Sequence, residues 1–569
     1  MVGAAPRRVE ATRSFDPGPI LFVGAALALA LLVLLPLGWL LFISVQQVDT
    51  GRFTLGNYVT AFTTSIYLSP IVNSLILAVS VATFAVVIGT PMAWLIARSN
   101  LPGRPLLRAL ITAAFATPSF IGAEAWILLA APNSGWLNRG IVALTHGGPP
   151  LNIFTLAGAA LVMGLYNVQY TFTFVSGALE LMPIELEDAS STLGGSGWAT
   201  MRRITLPLVA PAIIAGFIMS FLEALAEFGA PAFLLIPARA QVVTTQLYLF
   251  FQYPVRTELA AAYAMPLLGV TIVLLLLRNR ILGRRKYAMV GGKGGRHRLV
   301  DLGAWRWPVF ALAFLVPLCS VILPYLALLA TSLSRVWAEG PVGKNLTFHW
   351  YWWALVDNEE TRAAIFHSLW YGAAAATVAV VIAFLVAFTA VRKLFPGAGV
   401  LGFVCMAPFV VPGIVLAIGI YAAYSRPPLL LYGTAAILIV SFTTRFLPIA
   451  YSNLSTMIAQ VNVDLENAAR TLGATRLRSL WTVTAPLLRR GVLASWLLVF
   501  IPAIRELSTA IFLFTPRTAT MTTEIFDFSD AGNYEAVSTL AILILAITLI
   551  IITVAYRLLG KDFTETRRA

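Results

Sequence analysis

Five ionisable side chains interrupt stretches of this sequence that are otherwise apolar: Glu223, Glu227, Arg445, Arg505 and Glu506. A charge inside a membrane-spanning helix is costly and default-functional. Two readings are open for these residues. They form structural ion pairs, for instance Arg445 or Arg505 with an acidic neighbour, or they line a polar translocation path. Pro118 and Pro412, in ATPSFIGA and APFVVPGI, should remove a backbone hydrogen bond and kink their helices, serving either gating or packing. No catalytic constellation accompanies them. His146, His297, His349 and His367 are scattered and share no metal-ligand spacing. No Ser or Cys is placed for a nucleophilic triad. The GGKGG run at 291–295 lacks the G-x-x-x-x-G-K-[ST] spacing and a preceding strand, so it does not read as a phosphate loop. The chain is expected to bind no cofactor or metal and not to be an enzyme.

The elements that must hold these groups are long and apolar. Of 569 residues, 59% are hydrophobic and 11% charged, against roughly 25% charged in soluble proteins. The apolar residues fall in blocks of about 20 or more, the length that crosses a hydrocarbon core. Only helices or closed barrels satisfy their backbone in lipid. The reading is an all-α polytopic membrane protein of about twelve spans. They are placed at 19–44, 71–97, 105–131, 153–180, 207–235, 259–282, 306–333, 365–391, 398–424, 430–453, 491–515 and 537–556.

The net charge of +14 might suggest nucleic-acid binding, but its placement argues otherwise. With both termini inside, 28 of the 39 Lys and Arg residues fall on the cytoplasmic side and nine on the outer side. That is the positive-inside bias of membrane orientation. Cys319 and Cys405 both lie in apolar spans, so no disulfide framework is implied. Arg7, Arg8 and Arg13 precede a first span too long for a signal-peptide core, which should remain as an anchor.

The spans form two repeats. LEDASSTLGGSGWATMRRITLPL at 186–208 recurs as LENAARTLGATRLRSLWTVTAPL at 465–487, an offset of 279. NSLILAVSVATFAVVIGTP from Asn73 recurs as HSLWYGAAAATVAVVIAFL from His367, an offset of 294. A longer outer loop near 132–152 absorbs the difference. Six spans per repeat is an even number, so the repeats are parallel. The expected domains are 1–282, a basic Gly-rich cytoplasmic linker at 283–305, and 306–569.

Each repeated loop reads as two short helices around a corner. Glu187 and Asp188, or Glu466, favour the start of the first helix. Gly194 or Gly473 ends it, Ser196 or Thr475 caps the second, and Pro207 or Pro486 suits the first turn of the next span.

The frame E-[DN]-A-[AS]-x-T-L-G, with a proline 13 residues after the glycine, resembles the EAA loop of binding-protein-dependent ABC importer permeases. The resemblance implies two type I permease repeats in one chain. It implies that Glu187, Asp188, Ala189 and Gly194, with Glu466, Asn467, Ala468 and Gly473, form coupling helices on two copies of a cytoplasmic ABC ATPase. ATP and Mg would reside on those partners, and a periplasmic solute-binding protein would deliver cargo across a bacterial inner membrane. Asp188 and Asn467 depart from the first acidic position of the motif, and Ala485 replaces the usual Leu before proline. Nearly the whole chain is similar to ferric-iron-type permeases, through AEFGAPAFLLIPARAQVVTTQLY from Ala226, RELSTAIFLFTPRTATMTTEIFDF from Arg505 and the linker from Tyr287. Thiamine, phosphonate, sulfate and polyamine permeases share the layout. An ion-coupled secondary transporter is the rival of another class.

Overall fold

The computed structural model describes residues 18–47, 51–183, 185–283 and 299–559. The linker expectation at 284–298, the tail arginines and the C-terminal residues beyond 559 lie outside them. Among the described residues the chain is all helix, with only isolated bridges between extended residues. Eight helices are long and apolar enough to cross a membrane, and three sharply bent pairs raise the number to eleven. The twelfth expected span is Leu156–Leu181, a 26-residue helix of about 39 Å. Its central Asn167, Gln169 and Thr171 make it more polar than its neighbours, and all three are buried in the bundle.

Prolines shape the helices in a repeated way. The first span, Phe22–Ser44, and the seventh, Gly303–Ser332, each contain a π-turn. These turns, Ala30–Leu34 and Leu318–Ile322, lie just before Pro36 and Pro324. A proline ring clashes with the carbonyl four residues back, and a widened turn relieves the clash. The carbonyls loosened in the first span are taken up across the molecule. Tyr424 donates its hydroxyl to Leu31 O at 2.6 Å, and Thr444 donates to Leu32 O at 3.2 Å.

Those bonds reveal an exchange. The first span packs on the second repeat, where Phe22 stacks on Phe388 at 6.4 Å. The seventh span packs on the first repeat, where Tyr325 hydrogen-bonds Thr117 at 2.6 Å and Phe310 lies over Gly103. Each repeat is therefore completed by a helix of the other, and the buried apolar core runs continuously through both.

The ends of the bundle are set by the second span, Ser65–Arg98, and the eighth, Glu359–Val391. At one end Ser74 accepts from Val243 N at 2.7 Å, and Ser368 accepts from Met521 N at 2.8 Å. At the other end, about 36 Å along the helix, Arg98 and Arg392 meet the two repeated loops. The first span starts beside Arg392 and the second span ends at Arg98. Two antiparallel traverses return the chain to the end it left. Both loops, hereafter the elbows, therefore lie at one end of the bundle.

Candidate functional site

Each elbow folds as its residues dictate. Helix Glu185–Thr192 begins with three acids and helix Val463–Thr471 with two, where the helix dipole favours them. Gly194 and Gly473 then adopt φ of +78° and +91°, a left-handed turn that a side chain would strain. Ser196 and Thr475 accept from Ala199 N and Arg478 N, both at 3.2 Å, and so cap the second helix. A π-turn precedes Pro207 and another precedes Pro486, as in the first and seventh spans.

The glutamates face inward. Arg392 reaches Glu466 Oε1 with Nη2 at 2.8 Å and Nε at 3.1 Å, and Thr484 donates to the same oxygen at 3.0 Å. Arg392 also donates to Val461 O at 2.9 Å. The first elbow repeats the arrangement more loosely: Arg98–Glu187 at 3.7 Å, Thr205 to Glu187 at 2.8 Å, Arg98 to Leu179 O at 2.8 Å. These arginines brace each elbow against the end of a span. Sequence reasoning missed them because 89 and 74 residues separate the partners.

The outward face is left to Asp188, Ala189 and Gly194, and to Asn467, Ala468 and Gly473, all exposed. Between them stand two leucines, Leu193 at 88% exposure and Leu472 at 89%. Trp198 and Trp481 are exposed beside them. The same apolar residues thus stand exposed at matching places on both elbows.

The five intramembrane charges converge. Glu223, Glu227, Arg445, Arg505 and Glu506, with both Pro118 and Pro412, line one cavity of about 550 Å³ between the repeats. Three acids and two bases share it. Tyr170 hydrogen-bonds Glu223, and Arg445 and Glu506 interact electrostatically with it. Arg445 donates to Val411 O at 2.9 Å. Glu506 accepts from Thr509 N at 3.0 Å, and Glu227 is held in the same way by the Ala230 backbone. The duplicated glutamates thus accept backbone N–H groups near the starts of the short helices Gly229–Leu235 and Ala510–Leu513, while both line the cavity. Tyr166, Asn167 and Tyr170 of the fourth span also line it.

The prolines do more than kink. Pro118 and Pro412 begin new helices, and the paired segments turn by 101° and 111°. The expected spans 207–235 and 491–515 are also interrupted. Their helices end at Ala226 and Ala503, and the half-buried glutamates just beyond take backbone donors that a continuous helix would not offer. Glu124 is a buried acid that sequence reading passed over, although it stands in an apolar span. It accepts a hydrogen bond from Ser529 of the other repeat.

Above the cavity, away from the elbows, aromatic rings of both repeats close the bundle. Phe228 meets Phe512 at 6.1 Å, Phe251 meets Phe512 at 4.9 Å and Tyr248 meets Phe526 at 5.6 Å. Phe228 and Phe512 are buried. Rings of the two repeats thus meet at the end opposite the elbows.

Comparison with known proteins reproduces the duplication. Residues 85–287 and again 379–565 match the family described as "Binding-protein-dependent transport system inner membrane component". The chain is 27% identical over 388 residues to the ferric transport system permease protein FbpB of Actinobacillus pleuropneumoniae, covering 67% of this chain and 55% of that protein. It therefore spans little more than half the length of that relative. It is 22% identical to the Fe(3+)-transport system permease protein FbpB 2 of Haemophilus influenzae, covering 83% of this chain and 86% of that one. One repeat's length, 49% of the chain, is 28% identical to 98% of the sulfate transport system permease protein CysT of Escherichia coli. Two family matches in register with two braced elbows place this chain, as a tandem duplicate, in the family of binding-protein-dependent transport system inner membrane components.

Proposed function

We propose that the chain is the membrane-spanning subunit of an ATP-driven importer, with both elbows and both termini on the cytoplasmic side. Two copies of an ATPase subunit would seat on the elbows. Their closure on ATP would draw the elbows together and open the aromatic end to a periplasmic binding protein, and hydrolysis would reset the bundle. The observation that carries this reading is the pair of in-register elbows at one end, each presenting a bare leucine and braced to a span by an arginine. A force applied at Leu193 or Leu472 would pass through Arg98 or Arg392 into the second or eighth span. That axis leads toward the cavity and the aromatic closure.

Ferric iron is the proposed cargo. The cavity holds one more carboxylate than arginine, which suits a cation in transit, and two relatives are named for ferric transport. A second reading has its own observation. Arg445 and Arg505 on the same cavity would suit a divalent oxyanion, as carried by the sulfate permease named above.

Co-purification tests the machinery. An ATPase should come down with this chain and be lost when Gly194 and Gly473 are replaced by valine. Titrating the partner binding protein with Fe(III) and with sulfate separates the cargoes. Uptake that persists after ATP depletion, with the ion gradient intact, would instead indicate a secondary transporter.

A further inference from the structure

The two elbows share a backbone but not their charge. Beside the second lies a cavity of about 290 Å³ framed by Arg392, Lys393, Glu466, Asn467, Arg470 and Arg476. Glu466 on its floor is already neutralised by Arg392 at 2.8 Å. Lys393, Arg470 and Arg476 stand exposed around it, and among the described residues no salt bridge engages them.

The first repeat serves as an internal control. At the offsets of 294 and 279, Lys393 corresponds to Ser99, Arg470 to Ser191, Arg476 to Gly197 and Asn467 to Asp188. Three cations are absent there and one carboxylate is added. The place of Lys393 in the first repeat, at Ser99, is also bridged by the chain itself. Val300 N donates to Arg98 O at 2.8 Å, Asn100 N to Val300 O at 3.0 Å, and Asn100 Nδ2 to Asp301 at 2.6 Å. Val300 and Asp301, which lie against Arg98 and Asn100, are neutral and acidic, whereas the second repeat carries a lysine at the position matching Ser99.

We propose that the cavity beside the second elbow binds a phosphate-bearing anion, either inorganic phosphate or the headgroup of an anionic phospholipid. Two guanidinium groups and an ammonium around a concave site can donate several charge-assisted hydrogen bonds to phosphate oxygens. The bound anion would join Arg470 and Arg476, on the elbow's two helices, to Lys393 after the eighth span. It would tie the second elbow from outside as Glu466 ties it from within. The site stands on the elbow's own geometry, whatever cargo the bundle carries.

The test uses the full chain purified without any partner. Inorganic phosphate is titrated calorimetrically in neutral detergent. In a second arm, retention of phosphatidylglycerol against phosphatidylcholine is read by native mass spectrometry from mixed nanodiscs. The variant Lys393→Ser/Arg470→Ser/Arg476→Gly installs the first repeat's residues. It should weaken binding in at least one arm tenfold or more. The charge-conserving Arg470→Lys/Arg476→Lys loses the planar fork but keeps the charge, so it should bind more weakly than wild type and clearly more tightly than the triple variant, which separates loss of charge from loss of fold. Phosphate affected alone assigns a soluble ligand, and lipid affected alone assigns a headgroup. Equal binding by wild type and the triple variant overturns the proposal. So does absence of binding in both arms; if the triple variant then also loses the ATPase, the cations belong to a protein contact.

Discussion

Removing Arg392 should loosen the second elbow far more than removing Arg98 loosens the first. The Arg392–Glu466 bridge is 2.8 Å long, with both side chains under 10% exposed. Arg392→Met would leave the Glu466 carboxylate buried with the Thr484 hydroxyl and little else. Stranding one member of a buried pair costs about 3–5 kcal/mol. At 1.4 kcal/mol per decade, amide exchange through opening of helix Val463–Thr471 should accelerate roughly 140- to 3,700-fold. The first bridge is 3.7 Å long and Glu187 is 20% exposed. Water can take over part of that carboxylate, so Arg98→Met should cost about 1 kcal/mol in the electrostatic pair itself, roughly a fivefold acceleration in helix Glu185–Thr192. The double variant Arg392→Met/Glu466→Leu removes the stranded charge and should recover most of the protection. Hydrogen exchange with mass spectrometry reads both elbows in one sample. Equal acceleration at the two elbows, or a double variant as loose as the single, would refute the bracing argument.

Three further outcomes follow from the same geometry. Leu193→Asp with Leu472→Asp alters side chains that are almost fully exposed, so the melting temperature should hold within about 2 °C while ATPase co-purification disappears; a large loss of stability would show that the leucines are core residues. Glu223→Gln should slow uptake at least tenfold and leave ATPase association intact, since it changes the cavity and not the elbows; uptake at the wild-type rate would remove the cavity from the path. Helix Met521–Asp530, outside the spans, carries Glu524 and Asp527 raised to about 7 and about 6. Burial is the main cause, followed by Asp527 and Glu360 for the first and Asp530 for the second. The folded state holds these protons more tightly than the unfolded state, so the helix should be most protected below pH 4 and lose protection as pH rises to about 7. Glu524→Gln should flatten that profile in pH-dependent hydrogen exchange, and an unchanged slope would contradict it.

The duplicated elbows were legible because their folding is local. Gly194 and Gly473 end a helix, Ser196 and Thr475 start one, and each role depends on residues a few positions away. The chain segments that cross the bilayer were legible from length and composition, but their breaks were not. Apolar residues continue through Glu227 and through Arg505–Glu506, so the pattern gave no sign that helices stop there to offer backbone donors. The exchange of the first and seventh spans left no trace either, since helices that are apolar all round carry no marker of which neighbour they meet. The intramembrane charges were singled out as a set of polar groups in apolar spans. Their convergence on one cavity depends on packing between repeats that no spacing encodes. Arg98 and Arg392 read as ordinary boundary arginines, and their role emerged only with the carboxylates they meet.

The central claim is that a separate motor moves the two elbows relative to each other. It is tested most directly by spin labels on Leu193→Cys and Leu472→Cys, in a chain with Cys319 and Cys405 replaced by serine, reconstituted with the ATPase and binding protein. The account requires the distance between labels to shorten when ATP binds and to return after hydrolysis, in step with uptake. Uptake proceeding at its normal rate while that distance stays fixed through the ATP cycle would contradict it.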